Sequence, residues 1–282
     1  MKKIKISAPI YSFLILISLV IFISCDTDET QTVTNFNNLV MEDNFDADGA
    51  PNTDIWGYNI GDGSDIGLNG WGNNELQYYT NRPENVVVEN GMLKITARQE
   101  SFMGSNYTSA RLLTKGKFEQ TYGRFEARMQ LPWGQGLWPA FWLLGVPDVV
   151  NDVEEVWPHI GEIDIMENRG QEPTLISGTV HGPDYFGANG VGKSYTLEND
   201  RFDTGFHIFG IEWGPEYINF YVDNVLYNQI TPADVSGEWV FNNDFYIIIN
   251  LAVGGNYVGA PNQATVFPQE MLIDYVRVYS AN

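Results

Sequence analysis

The sequence predicts an all-β protein built as two stacked antiparallel sheets, and three observations carry that prediction. Alternation of apolar and polar residues with period 2 recurs along the chain. Beyond the first 24 residues no segment sustains helical spacing over three turns. Glycine (28 residues) and aromatic residues (14%) are abundant, as closely spaced turns and a large sheet core require. Sheets of this size twist and curve, so one face is expected to be concave and to offer a groove for substrate.

The elements follow in chain order. Met92 to Ala97 is read as a strand. Phe125, Ala127, Met129 and Leu131 then alternate with Glu126, Arg128 and Gln130, the pattern of a strand with one buried face. Phe206 to Trp213 is a further strand. Ile218 to Val222 and Val225 to Tyr227 flank Asp223-Asn224, a two-residue hairpin turn, because Asp and Asn tolerate positive φ. Phe245 to Leu251 and Met271 to Tyr279 complete the set. The 244 residues from Leu39 to Asn282 fit one sandwich, with no internal repeat and no Pro- or Ser-rich linker.

Composition narrows the function. The chain has 36 acidic and 15 basic residues, a formal net charge of −21, which excludes a nucleic-acid binder because phosphate contacts need clustered Lys and Arg. It also disfavours an anionic polymer as substrate through long-range repulsion. The single cysteine excludes a disulfide framework and a cysteine-based zinc site.

That cysteine, Cys25, ends a segment with Lys2, Lys3 and Lys5, an apolar stretch from Ala8 to Ile23, and Ser24. Residues 1–24 resemble a bacterial lipoprotein signal, with Cys25 as the lipidated first residue of the mature chain and Phe22 in the place usually held by Leu. The other reading is an uncleaved anchor, but the apolar run is short for a span of about 20 residues. Both readings export the domain. Residues 25–38 are polar and acidic and are expected to form a flexible tether.

The chemistry is concentrated in Gly161-Glu162-Ile163-Asp164-Ile165-Met166-Glu167-Asn168. On a strand Glu162 and Asp164 share a face, whereas Glu167, five residues after Glu162, falls on the other. One extra residue near Met166, a β-bulge, returns Glu167 to the acidic face. Three carboxylates in a row raise one another's pKa, an arrangement selection for stability alone avoids. Glycoside hydrolysis with retention needs it: a carboxylate nucleophile and a protonated carboxylic acid about 5 Å apart. Asp164, between them, is expected to hold the nucleophile and keep Glu167 protonated. In a chain this acidic the bare spacing arises by chance about 0.6 times. Context raises its weight, since Ile163, Ile165 and Met166 fit a strand backed by a core, and Trp133, Trp138, Trp142 and Trp157 lie within 30 residues upstream. Indole faces stack on pyranose rings; core packing is the competing reading for each.

With these residues the chain resembles the retaining glycoside hydrolase family 16, and within it the laminarinase-like endo-β-1,3-glucanases. The likeness runs through WGNNELQYYT (71–80), TKGKFEQTYGRFEARMQLPWGQGLWPAFWLLG (114–145), WPHIGEIDIME (157–167), GTVHGP (178–183), HIFGIEW (207–213), INFYVDN (218–224), NLAVGGNY (250–257) and IDYVRVY (273–279). It implies a concanavalin-like jelly roll with a concave substrate cleft. It implies Glu162 as nucleophile, Asp164 as its assistant and Glu167 as general acid/base, and Asn73, Arg111, Trp133, Trp138, Trp142, Trp157 and His181 as substrate contacts. His159 and His207 are read as structural. No cofactor is implied for catalysis. Many relatives carry a structural Ca²⁺ on the convex face, for which Asn44, Gly91 and Asp274 occupy the ligand positions; Asn44 replaces the family's Glu and contributes no charge. The acidic segment 146–156 is a further departure, expected to form a loop at the cleft rim.

The resemblance thus implies a monomeric retaining endo-hydrolase of β-1,3-glucosidic linkages in laminarin-type, neutral β-glucan, exported and lipid-anchored to the bacterial outer membrane. Its competitors are a mixed-linkage β-1,3-1,4-glucanase and a non-catalytic carbohydrate-binding module, since the scaffold alone does not decide between them. A pure binder has no use for two glutamates held together against their repulsion. Zinc-hydrolase, serine-nucleophile and phosphate-cradling motifs are missing from the sequence.

Overall fold

The computed structural model describes residues 35–150 and 153–281. Cys25, the signal segment 1–24 and most of the tether lie outside the described residues. The first strand, Phe36–Asp43, begins three residues earlier than the predicted domain start, because it pairs along the last strand, Gln269–Ala281.

Two sheets form a jelly-roll β-sandwich. In hydrogen-bonded order, one runs Val191–Thr196, Leu175–His181, Glu162–Asn168, Leu137–Gly145, Phe245–Val253, Arg111–Leu113 and Gly57–Tyr58. The other runs Val225–Ile230, Tyr217–Val222, His207–Gly214, Gly123–Gln130, Gln269–Ala281, Met92–Phe102, Ser105–Ser109 and Gln77–Tyr79, with Phe36–Asp43 and Val86–Glu89 attached to the sides of its long strands. Among the described residues all pairings are antiparallel except one: Gln77–Tyr79 lies parallel to Ser105–Ser109. Helix among the described residues is confined to short 3₁₀ turns such as Asn69–Gly72.

Alternation explains the packing. Phe125, Ala127 and Met129 point inward and are fully buried, as are Phe209, Ile211 and Trp213 on the neighbouring strand. They meet Phe141, Leu143, Ile163, Ile247, Ile249 and Leu251 from the facing sheet, and together these residues form one continuous core. Glu126, on the outer face, is buried against Arg124, whose Nη2 lies 2.8 Å from its carboxylate. The hairpin turn is as expected: Asp223 and Asn224 have φ of 50° and 65°, the left-handed conformations that match the twist of the flanking strands.

Within the acidic segment 146–156, expected as a loop at the cleft rim, Val149–Val150 pairs antiparallel with Val153–Glu154. One expectation needs correction. The implied calcium ligands do not form a dication site. Asn44 Oδ1 accepts a hydrogen bond from Arg277 Nη2 at 2.9 Å, and Asp274 Oδ2 is paired with Arg128 Nη1 at 2.6 Å. Each of these side chains thus carries a guanidinium on one oxygen, a positive charge that competes with a dication, and Gly91 sits at a positive φ in its turn.

Candidate active site

The central strand of the site, Glu162–Asn168, carries a bulge where one is required. Asp164 pairs with Trp142 on one side, and the next pair is Met166 with Phe141; on the other side Asp164 pairs with Thr179 and the next pair is Glu167 with Ser177. The irregularity therefore falls at Ile165–Met166, both buried in the core. Beyond it Glu167 returns to the face of Glu162 and Asp164, opposite the core, where Glu162 and Glu167 are partly exposed.

Neighbouring strands complete the face by register. His181 lies opposite Glu162, and Trp142 opposite Asp164. Asn250 lies opposite Ala140, two residues before Trp142 on its strand, Trp138 shares the face four residues before Trp142, and Arg111 lies opposite Asn250. His181 Nε2 is 3.1 Å from Asp164 Oδ2 and 3.8 Å from Glu162 Oε1. Trp138 Nε1 donates to Glu167 Oε1 at 3.0 Å. The guanidinium of Arg111 stands between two indoles, 4.7 Å from the Trp71 ring and 4.8 Å from that of Trp142. Two glycines bring backbone close to these side chains: a Cβ at Gly190 would lie 2.2 Å from His181 Cε1, too near to fit, and one at Gly255, where φ is 110°, would press at 3.2 Å on both the Asn73 carbonyl and the Trp138 ring.

Electrostatics at this face favour proton retention. Burial, reinforced by the charge of Asp164 and opposed by His181, pushes Glu162 up to about 8. The same causes push Glu167 up to about 8, with the Trp138 hydrogen bond pulling the other way. Burial pushes Asp164 up to about 7, and its hydrogen bond with Glu162 pulls it down. A carboxyl–carboxylate hydrogen bond needs one proton, so Glu162 and Asp164 share one while Glu167 holds its own near neutral pH. Among the described residues, Glu162, Asp164 and His181 are also the acid and histidine group close enough to share a cation, with ligand atoms within 4.8 Å of one another. These are the atoms the carboxylate chemistry itself requires.

The remaining predicted residues fall in different places. Asn73 lies at the edge of the same face, its carbonyl accepting from Asn256 N at 2.8 Å. Trp157, 41% exposed, packs edge-on against Phe186 on the segment leading into Glu162. Trp133 is not brought to the carboxylates. Its ring is 45% exposed, lies 5.6 Å from the Arg201 guanidinium, and lines a groove of about 410 Å³ with Gln130, Asp203, Gln269 and Glu270, chiefly from the other sheet. His207 is structural as read, with Nδ1 2.7 Å from Asp223 Oδ2, and His159 is exposed on the turn before Glu162.

Sequence reasoning gave no role to Glu75, Tyr79, Asn250 or Tyr257. Asn250 carried a usable signal: it is the one strongly polar side chain of Phe245–Val253, a strand buried throughout, and a buried amide demands partners. Tyr257 packs tilted against Trp138, ring centres 5.2 Å apart, and carries the Arg169 guanidinium at 4.3 Å on its ring.

Comparison with known proteins agrees with this geometry. The family described as "Glycosyl hydrolases family 16" matches residues 73–277, a span that contains all three carboxylates. The protein named "Beta-glucanase" of Rhodothermus marinus is 43% identical over 249 residues, covering 86% of this chain and 84% of that relative. Among solved structures, the endo-beta-1,3-glucanase from Pyrococcus furiosus superposes with a TM-score of 0.80 at 46% identity, covering 86% of this chain and 94% of that one. The laminarinase catalytic domain from Thermotoga maritima MSB8 gives the same TM-score of 0.80 at 46% identity, covering 87% and 98%.

Proposed function

Since the chain belongs to glycosyl hydrolases family 16, we propose that it is a retaining endo-hydrolase of β-1,3-glucosidic linkages in laminarin-type glucans. The observation that carries the reading is the bulge at Ile165–Met166, which sets Glu162 and Glu167 on one face of one strand, with Asp164 between them.

The roles follow from the surroundings of each carboxylate. Glu162 attacks the anomeric carbon; its proton moves to Asp164, and His181 and Arg111 supply the positive charge that favours ionised Glu162. Glu167, kept protonated by burial, delivers its proton to the departing glycosidic oxygen as the C–O bond breaks. Glu167, now a carboxylate and oriented by Trp138, takes a proton from water as that water displaces Glu162 from the glycosyl-enzyme. Two inversions give net retention, and the cycle needs no cofactor. Trp138, Trp142 and Arg111 offer aromatic faces and hydrogen-bond donors to a neutral polymer, in keeping with the acidity of the chain. The name of the Rhodothermus relative fixes no linkage, so mixed-linkage β-1,3-1,4-glucan is the second substrate to assay.

The same proposal extends to the chain's surroundings on the strength of its sequence: export, lipidation at Cys25, attachment to the outer membrane and action as a monomer. All three carboxylates come from one strand of one chain, so the chemistry asks for no partner.

Product profiling on laminarin, lichenan and agarose, with NMR of the first-formed anomer, tests the proposal. The expected result is internal cleavage of laminarin with β-configured products. Release of α-configured sugar, or cleavage of agarose in preference to both glucans, would overturn it.

A further inference from the structure

One acidic residue of the cleft takes no part in the reaction above. Glu75 lies between the 3₁₀ turn Asn69–Gly72 and the strand Gln77–Tyr79, and it bridges to Gly254 just past the end of Phe245–Val253. Its Oε2 accepts from Gln77 Nε2 at 2.6 Å and from the Tyr79 hydroxyl at 3.1 Å. Burial pushes its pKa up; the charge of Arg111 and hydrogen bonds from Gln77, Tyr79 and Asn73 pull it down.

From Tyr79 a hydrogen-bonded chain runs to the cleft wall. The Tyr79 oxygen accepts from Asn250 Nδ2 at 3.3 Å, and Asn250 Oδ1 accepts from Trp142 Nε1 at 2.8 Å. Chemistry fixes the polarity of this chain. An indole N–H can only donate, so Asn250 turns its oxygen to Trp142 and its amino group to Tyr79, which leaves the one proton of Tyr79 for Glu75. A second constraint ends on the same oxygen: Gln77 Oε1 accepts from Val253 N at 2.7 Å, so its amino group is committed to Glu75. Glu75 is the acceptor at which both chains terminate. At the other end Trp142 stands opposite Asp164 and, with Trp71, encloses Arg111.

Resting on the reading of this face as a glucan cleft, we infer that Glu75 is a positioning residue for substrate binding: through Tyr79 and Asn250 it sets the plane of the Trp142 indole, and its charge balances the Arg111 held against that indole. A residue serving the fold alone would be better supplied by an apolar side chain, because a carboxylate in this place must be desolvated. Without the acceptor, Tyr79 and Gln77 are left with unpaired donors, Asn250 is free to turn over, and Trp142 loses its fixed orientation. The sugar stacked on it is then held less well, while Glu162 and Glu167 stay in place.

The test is steady-state hydrolysis of laminarin by wild type, Glu75→Ala, Glu75→Gln, Tyr79→Phe and the Glu75→Ala/Tyr79→Phe double variant, with melting temperatures measured in parallel. Glu75→Ala is expected to raise KM about tenfold, the equivalent of one weakened contact, with kcat within about threefold of wild type. Glu75→Gln, which keeps an acceptor oxygen, is expected to recover part of that loss. Tyr79→Phe should move KM in the same direction, and the double variant should be no worse than Glu75→Ala, since both cut one chain. Wild-type KM in Glu75→Ala, a loss confined to kcat, or full additivity in the double variant would overturn the inference. Wild-type protein inert on laminarin would instead refute the functional reading, so the two failures are told apart.

Discussion

Trp138 Nε1 lies 3.0 Å from Glu167 Oε1, and this bond orients the carboxyl proposed to deliver and recover the proton. An indole donor favours the charged carboxylate, so it works against the burial that pushes Glu167 up to about 8. In Trp138→Phe the ring contact with Tyr257 is kept and the donor is lost. The alkaline limb of the kcat/KM profile, set by deprotonation of Glu167, should then move to higher pH, and kcat/KM should fall about tenfold. An unmoved limb would show that this bond does not tune the acid.

The two glutamates should fail differently. Glu162→Ala is expected to remove laminarin hydrolysis, a loss of about 10⁴-fold or more, with the circular dichroism of the fold unchanged. Glu167→Ala should lose about 10²- to 10⁴-fold on laminarin but far less in the first step with a dinitrophenyl glycoside, whose leaving group needs no protonation. Azide should revive the Glu167 variant and yield the β-glycosyl azide. β-Azide from the Glu162 variant, or α-azide from the Glu167 variant, would reverse the assignment.

Asp164 makes stability depend on pH. Its folded pKa, about 7, lies above the ordinary carboxylate range, so between roughly pH 4 and 7 the folded state binds more protons than the unfolded. Its contribution is therefore fully present below pH 4 and is lost as pH rises through about 7; Glu162 and Glu167, at about 8, extend the loss upward. Asp164→Asn keeps an oxygen for His181 Nε2 and removes the charge. It should melt close to wild type at pH 4 and higher at pH 8, by about 1–3 kcal/mol or a few degrees. Its alkaline limb of activity should move to lower pH, because Glu167 no longer feels Asp164. Equal pH dependence of melting in the two proteins would contradict the burial of Asp164 as the source of its raised pKa.

What could be read from the sequence was what local geometry decides. Alternation placed Glu162 and Asp164 together, and the odd spacing of Glu167 demanded the irregularity found at Ile165–Met166. Asp223-Asn224 announced its turn through tolerance of positive φ. What escaped depends on partners far along the chain. Asn44 and Asp274 looked available to a metal, but their arginine partners lie 233 and 146 residues away. Trp133 shares a short segment with Trp138, yet the chain between them crosses from one sheet to the other, and the two indoles end in different surroundings. Glu75 stood in a quoted motif without a role because its function runs through Tyr79 and Asn250, a residue 171 positions from Tyr79.

The irregularity at Ile165–Met166 also sets a parity rule for this strand. An unkinked strand keeps every second residue on one side, so acids spaced two and two would meet there with no insertion; with one residue added, the spacing two and three gives the same meeting. Gaining or shedding one residue together with the kink leaves the reacting pair in place. Changing either alone turns the proton donor into the hydrophobic interior, so the length of this segment and its backbone shape can drift over evolutionary time only as a linked pair.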